Sequence, residues 1–310
     1  MSSFFQNPPE MQLGLSAADY RALGGVSYSS LKLLVSRTPA HFLEAVNNPP
    51  PPTPSMLLGS AMHALLSGET VSEMPVCSAS TKGGGGCKNP ALGKFSREGQ
   101  PEAEFLCGVH SRGLEAAPLD GLFVPADVLA DAQKMKEAAE RELFGKPSII
   151  LDGLFHVGDE VSLHTKTHDG TIVRCRLDAL WASEPETGYA PVIIDYKSVA
   201  DASPKAFEKI CAELRYDMQA ALYTKMVEDY FANRSNGWGL SSPRFYFVLV
   251  ENAAPWATCV CELGAEDLLR AWGSVSDALE IFSLCSSRCL FPASYGTHRV
   301  EVPKWARGGR

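Results

Sequence analysis

Two neighbouring stretches decide the fold: TIVRCRLDALW at residues 171–181 and APVIIDYKS at residues 190–198. Apolar and polar residues alternate in the first stretch, which predicts a strand with one buried face. The second stretch is apolar in its first half and polar in its second, which predicts a buried strand that emerges where the sheet ends. Upstream, VSLHTKT at 161–167 and the turn pair Asp169-Gly170 complete a hairpin signal. The sequence therefore predicts a sheet built around these three strands.

Helical and strand patterns alternate on both sides of this hairpin. The elements predicted there are, in chain order, a capped helix over 26–46, a stiff proline connector at 49–54, a buried helix over 55–67, an amphipathic helix over 125–144, a long helix over 203–233, strands at 244–251 and 256–263, and a last helix over 265–284. This order predicts an α/β (α+β) fold, with a central mixed sheet flanked by helices and an N-terminal helical part.

Residues 77–112 differ in character from the rest of the chain, because they are rich in glycine, basic and poor in core residues. We interpret them as an insertion. We therefore expect three parts: an N-terminal helical part at 1–76, an inserted loop at 77–112, and the main core at 113–310.

The composition limits the classes of protein to which the chain can belong. The chain has 310 residues, of which 45% are hydrophobic and 21% charged, and these values exclude a disordered or fibrous chain. The net charge of −8 argues against a protein that coats nucleic acid with its whole surface, but not against an enzyme with one basic groove. No apolar run is long enough for a spanning helix, and the N-terminus lacks a signal-peptide pattern. We expect a soluble, cytoplasmic protein with no membrane partner.

Acidic and basic side chains follow the buried strands. Asp195 and Lys197 are two residues apart in one predicted strand, so their side chains leave the same face. Asp178 lies in the preceding strand, and neighbouring strands are about 4.8 Å apart, so the two aspartates share one divalent cation if their register matches. Glu160, at the predicted start of the hairpin, is a candidate further carboxylate. Such a cluster suits phosphodiester hydrolysis, although an isolated Asp-x-Lys pattern also occurs on solvated faces.

One polar pair lies on the long helix that follows. Gln219 and Tyr223 are four residues apart, so they share a helix face that can pack across the strand of Asp195. A polar residue beside a core tyrosine is the alternative interpretation of this pair.

Taken together, these residues resemble the PD-(D/E)xK nuclease superfamily in its RecB-like branch. The order that carries the resemblance is His63, Glu160, Asp178, Asp195-Tyr196-Lys197, and Gln219 with Tyr223. More narrowly, the chain resembles the phage and prophage exodeoxyribonuclease VIII (RecE-like) group in the segments SYSSLKLLVSRTPAHF (27–42), GSAMHALL (59–66), EVSLH (160–164), CRLDAL (175–180), IIDYKS (193–198) and VEVPKWA (300–306). One departure is that Leu177 stands where the superfamily motif has its leading proline.

The resemblance implies a restriction-endonuclease-like core and assigns roles to single residues. It implies that Asp178 and Asp195 bridge Mg²⁺ (or Mn²⁺), that Lys197 positions the attacking water, and that further metal ligands come from the Tyr196 carbonyl, Glu160 and His63. It also implies that Gln219 and Tyr223 orient the lysine or the DNA backbone. We also expect phosphate contacts from Arg37, Ser198, Ser27 and Ser29.

The resemblance also implies an activity and its partners. It implies a Mg²⁺-dependent exonuclease that digests linear double-stranded DNA from 5′ to 3′ and leaves 3′ single strands for phage-type homologous recombination. A RecT-like single-strand annealing protein, a homo-oligomeric ring and a phage or prophage origin are implied with it. The alternatives are a RecB-like nuclease with endonuclease or single-strand-specific activity, and a DNA-end-binding module with a vestigial site.

A second constellation lies in the insertion. The chain has nine cysteines, and this odd number in a long cytosolic-looking chain argues against a disulfide scaffold. Cys77, Cys87, Cys107 and His110 all lie in a segment that has little core of its own, although the gap between Cys87 and Cys107 is long. Because Cys-x-x-His is a spacing that suits one tetrahedral ion, we predict a structural Zn²⁺ held by these four residues. A flexible loop that carries spare thiols is the alternative.

Overall fold

The structure is a computed structural model that describes residues 4–81, 83–89, 91–96, 102–116, 121–145, 151–183, 189–233 and 242–301. Its helices are α1 (Ala17–Ala22), α2 (Tyr28–Ser36), α3 (Pro39–Asn47), α4 (Pro54–Leu66), α5 (Ala126–Gly145), α6 (Pro204–Leu214), α7 (Tyr216–Ala232) and α8 (Ala265–Ser287). Its strands are β1 (Glu10–Gln12), β2 (Val71–Glu73), β3 (Gly93–Ser96), β4 (Glu104–Leu106), β5 (Glu115–Ala116), β6 (Leu122–Val124), β7 (Phe155–Lys166), β8 (Ile172–Ala182), β9 (Val192–Val199), β10 (Arg244–Glu251) and β11 (Thr258–Glu262).

A six-stranded sheet in the order β1-β7-β8-β9-β10-β11 forms the centre of the molecule. Only β9 and β10 pair in parallel within this sheet, and the other neighbours are antiparallel. Side chains of β9 alternate between two cores, since Ile193 packs into one and Ile194 into the other. Helices α2, α3, α6, α7 and α8 cover the first face, and α4 and α5 cover the second. The predicted α/β fold with a central mixed sheet between helices is confirmed.

Two predicted helices are each divided in two. The helix expected over 26–46 is α2 and α3, because Arg37 and Thr38 are extended ahead of Pro39, which cannot continue a helix from the preceding turn. The helix expected over 203–233 is α6 and α7, which meet at Arg215 in the left-handed conformation (φ 57°). From α2, the Tyr28 hydroxyl donates to the Leu214 carbonyl at this break, over 2.5 Å. The break therefore depends on a tertiary contact, which helix propensities along the sequence do not predict.

The insertion contains structure that the sequence pattern did not predict. Strands β3, β4 and β5 form a small antiparallel sheet, and β2 and β6 pair in parallel at the base of the insertion. Strand β1, at the edge of the main sheet, was also not predicted. Of the predicted landmark at 300–306, residues 302–306 lie outside the described residues.

Within the described part of the chain, no helix is both long and apolar enough to cross a membrane.

Gly25 lies where the chain enters α2 against the central sheet. Its φ is +70°, and a Cβ built there would lie 2.2 Å from the Ile172 carbonyl oxygen, which accepts the Val26 N–H. We expect Gly25→Ala to lower the free energy of unfolding by about 1–3 kcal/mol more than Gly24→Ala, because a forced backbone shift adds to the left-handed penalty. Gly24 is the matched control, since its φ is +71° and nothing lies within 4 Å of its built Cβ. Urea denaturation of both variants measures the difference, and equal losses would contradict this account of the close approach.

Candidate active site

Strands β8 and β9 bring the two predicted aspartates together. Ala179 pairs with Ile194, so extending this antiparallel register by one residue places Asp178 level with Asp195. The ladder stops there, and the Tyr196 backbone N–H donates instead to Asp178 Oδ2 over 2.7 Å. The Asp178 carboxylate thus lies between the two strands at the point where they separate.

Two further side chains complete a ligand cluster around Asp178. Glu160 lies across from Asp178 in the β7–β8 pair, within the strand rather than at its start as the sequence predicted. Its φ of 49° interrupts the regular alternation of side chains in β7. His63, from the last turn of α4, has its Nδ1 atom 3.3 Å from Asp178 Oδ2. Ligand atoms of His63, Glu160 and Asp178 lie within 4.8 Å of one another. Two carboxylates and an imidazole are donors that suit a divalent cation, so these residues fit the metal that the sequence predicted.

Asp195 is engaged differently from Asp178. Its side chain is 2% exposed, forms an ion pair with Lys197, and accepts a hydrogen bond from Gln219 Nε2 over 2.5 Å. Gln219 therefore orients the aspartate, whereas the sequence assigned it to the lysine or to DNA. The predicted shared cation between Asp178 and Asp195 stays a prediction, since Asp195 is not part of the three-residue ligand cluster.

Lys197 is held over aromatic rings at the same place. Its Nζ lies 4.7 Å from the ring centroid of Tyr216 and 5.9 Å from that of Phe247. Tyr216 is the first residue of α7, directly after the left-handed Arg215. The break between α6 and α7 thus places an aromatic face under the ammonium group, which favours the charged form of the lysine.

Burial and crowding of charge shift several pKa values in this cluster. Burial, with repulsion from Asp178, raises the pKa of Glu160 to about 7, although Arg176 opposes the shift. Burial likewise raises the pKa of Asp195 to about 6 against the attraction of Lys197. Burial alone would lower the pKa of Lys197, but the charge of Asp195 outweighs it and raises that pKa. Burial raises the pKa of Asp178 as well, but attraction from His63 outweighs it and lowers that pKa. Glu160 and Asp195 are thus the carboxylates that resist ionisation, and a nearby divalent cation would stabilise their charged forms.

The cluster opens into a cleft of about 1060 Å³. Of the predicted residues, the cleft is lined by His63, Glu160, Tyr196, Lys197 and Ser198.

The other predicted contacts lie elsewhere. Tyr223 is buried beside Phe245, with ring centroids 6.2 Å apart, which agrees with the alternative of a core tyrosine. Arg37 is exposed outside the cleft lining, and Ser27 and Ser29 hydrogen-bond to each other at the start of α2.

Sequence reasoning missed most of the cleft lining, including two arginines and a tyrosine. Arg176 forms an ion pair with Glu160, and Arg21 and Tyr216 line the cleft wall. Arg176 is two residues before Asp178 in one strand, so the spacing that drew attention to Asp195 and Lys197 also marks Arg176. Tyr216 and Arg21 carry no such signal, because tertiary packing places them.

The insertion also gathers its predicted ligands. Atoms of Cys77, Cys87, Cys107 and His110 lie within 4.8 Å of one another, and the three cysteines are buried. These four residues form a possible metal site that is separate from the cleft.

Comparisons with known proteins agree with this architecture. Residues 27–298 match a family model described as "PDDEXK-like domain of unknown function (DUF3799)". The fold is similar to the crystal structure of a protein from Eubacterium rectale described as a "Putative exonuclease". The TM-score is 0.51 and the identity 13%, over 89% of this chain and 88% of that one. A search of curated proteins found no significant match to the sequence.

Proposed function

The chain belongs to the PDDEXK-like family, whose model covers residues 27–298, and from this premise we propose that it is a divalent-metal-dependent exonuclease acting on linear double-stranded DNA. The membership supports a hydrolytic nuclease. The observation that carries the proposal is that His63 and Glu160, whose ligand atoms adjoin that of Asp178, line one cleft with Lys197. Burial raises the pKa values of Glu160 and Asp195 beside this cleft, and carboxylates perturbed in this way cluster at functional sites.

The residues of the ligand cluster and the residues around Lys197 have separate roles in this proposal. Asp178, Glu160 and His63 would hold Mg²⁺ or Mn²⁺, with the Tyr196 carbonyl and Asp195 as the further ligands that the resemblance implies. A cation bound there supplies Lewis-acid polarisation of the phosphate and a lower pKa for water.

Lys197, charged and held by Asp195 and Tyr216, donates hydrogen bonds to the attacking water or to a phosphate oxygen as negative charge develops. Gln219 keeps Asp195 in place. Water attacks the phosphorus in line with the P–O3′ bond, which breaks. The 3′ oxygen leaves and takes up a proton as a hydroxyl, so each released nucleotide keeps its 5′ phosphate.

The finer parts of the proposal rest on the RecE-like resemblance. They are 5′-to-3′ polarity, a homo-oligomeric ring around the DNA, a RecT-like annealing protein as partner, and recombination in the cytoplasm of a phage-infected or prophage-bearing bacterium. The basic residues of the cleft lining, Arg21, Arg176 and Lys197, support contact with a DNA backbone.

Digestion of end-labelled DNA tests the proposal. One duplex carries a label at a single 5′ end and its twin carries it at a single 3′ end. Each is incubated with Mg²⁺, with Mn²⁺ or with EDTA. We expect immediate release of the 5′ label as a mononucleotide, late release of the 3′ label, and no product in EDTA. A covalently closed circle of the same sequence is the matched control and should stay intact.

The other outcomes separate the alternatives. Internal fragments or cleavage of the circle would favour an endonuclease, and digestion of single strands alone would favour a single-strand-specific enzyme. DNA that is retained in EDTA and never shortened with either metal would overturn the enzyme and leave a binding module.

A further inference from the structure

The four ligand atoms in the insertion are spaced as a tetrahedral ion requires. Cys87 Sγ lies 4.0 Å from Cys107 Sγ. His110 Nδ1 lies 3.3 Å from Cys77 Sγ and 3.4 Å from Cys107 Sγ. Zinc bonds of about 2.3 Å to sulfur and about 2.0 Å to nitrogen place tetrahedral ligands roughly 3.5–3.8 Å apart. The observed distances surround this range, so one ion fits at the centre with little movement.

Local contacts hold Cys107 in place within the cluster. The Asn89 side-chain amide donates to Cys107 Sγ over 3.8 Å. The backbone N–H groups of His110 and Ser111 donate to the Cys107 carbonyl, so a tight turn brings His110 back toward the sulfur of Cys107.

The described residues of the insertion offer little else to hold its fold. Its buried core consists of Leu106 and the three cysteines, with only a few partly buried apolar residues around them. Strands β3, β4 and β5 are two to four residues long. So small a core and sheet are marginal in water, and small units of this size usually depend on metals or disulfides.

We propose that Cys77, Cys87, Cys107 and His110 bind one structural Zn²⁺ that folds the insertion. The site is structural because four protein ligands fill the tetrahedral coordination and leave no open position for water or substrate. The inference does not depend on the nuclease activity.

Zinc at this place also supports one wall of the cleft. Phe105 of β4 contacts Phe123 of β6, with ring centroids 5.4 Å apart. Gly121 and Leu122, at the start of β6, line the cleft that holds His63. An insertion without its ion would therefore loosen a segment that adjoins the ligand cluster.

Metal analysis of the purified, reduced full chain tests the proposal. After dialysis into metal-free buffer, elemental mass spectrometry should find about one zinc per wild-type chain and about none in Cys107→Ser. Cys289→Ser is the matched control and should keep its zinc, because Cys289 is exposed and outside the cluster. Asp178→Asn should also keep its zinc, which separates this site from the nuclease cleft. A wild-type chain that takes up no zinc on refolding, or a Cys107→Ser chain that keeps it, would overturn the proposal.

A second measurement uses the wild-type chain alone, in case the serine variant fails to fold. Co²⁺ exchanged into the site should give the visible absorption of tetrahedral thiolate coordination, and removal of the metal should open residues 77–112 to limited proteolysis. Octahedral cobalt spectra, or a Cys87–Cys107 disulfide in anaerobically prepared protein, would contradict zinc at this site.

Discussion

Asp178→Asn is expected to slow DNA hydrolysis at least about 1000-fold. Polarisation by a bound cation supplies several kcal/mol of transition-state stabilisation, and the loss of about 4 kcal/mol corresponds to about a thousandfold change in rate. Asp178 is the member of the ligand cluster that faces both His63 and Glu160, so its carboxylate is the hardest ligand to replace. Single-turnover digestion of linear duplex with saturating Mg²⁺ measures the rate.

The fold of this variant should survive the change. Asparagine keeps the size of aspartate and can still accept the Tyr196 N–H. Circular dichroism should match wild type, while calorimetric titration should show much weaker Mn²⁺ binding. Asp267→Asn is the control, because Asp267 is an exposed residue of α8 paired with Arg270 and should leave the rate unchanged. Full activity of Asp178→Asn would remove the cleft from the mechanism.

Lys197→Met is expected to lower the hydrolysis rate by about 100- to 1000-fold, the range for loss of one donor to developing negative charge. Mn²⁺ affinity should change little, because the ligand cluster does not include Lys197. A lower hydrolysis rate with unchanged Mn²⁺ binding distinguishes the role of Lys197 from that of a metal ligand. Lys205→Met, at the exposed start of α6, is the control.

This substitution also carries a cost in stability. Lys197→Met removes the ammonium group that pairs with the buried Asp195. Removing one partner of a buried ion pair lowers the free energy of unfolding by about 3–5 kcal/mol. The double variant Asp195→Asn with Lys197→Met removes both charges, so it should regain much of the stability and none of the activity. Activity in the double variant would show that the lysine only keeps the strand folded.

Local patterns were sufficient for most of the central sheet. Strands β7 to β10 each carry alternation or an apolar run, and the Asp-Gly turn joins β7 to β8. Strand β1 and the small strands of the insertion escaped prediction because two to four residues carry no period. The division of the two long helices was not predicted. A helical pattern continues across Pro39 in the sequence, and the break at Arg215 depends on a contact from α2.

Sequence patterns likewise predicted only part of the candidate site. The order of the strands along the chain indicated that Asp178 and Asp195 lie on neighbouring strands. The two-residue spacing indicated that Lys197 shares a face with Asp195. The turn of Glu160 toward Asp178 could not be inferred, since it requires a left-handed glutamate, which no propensity favours. The separate attachment of Asp195 to Gln219 likewise depends on how α7 crosses the sheet.

The short strand β1 has a consequence for where the folding unit begins. Glu10–Gln12 pairs with β7, Gln6 donates to the Lys166 carbonyl, and Thr165 donates to the Asn7 carbonyl. These contacts cover outer backbone groups at residues 162–166, in the second half of the twelve-residue β7. The match to the family model starts only at residue 27, so a chain trimmed to the shared part would leave this stretch of β7 as an open edge, a template for self-association. Besides placing Arg21 in the cleft lining, residues 4–24 thus protect one edge of the central sheet from pairing with another chain.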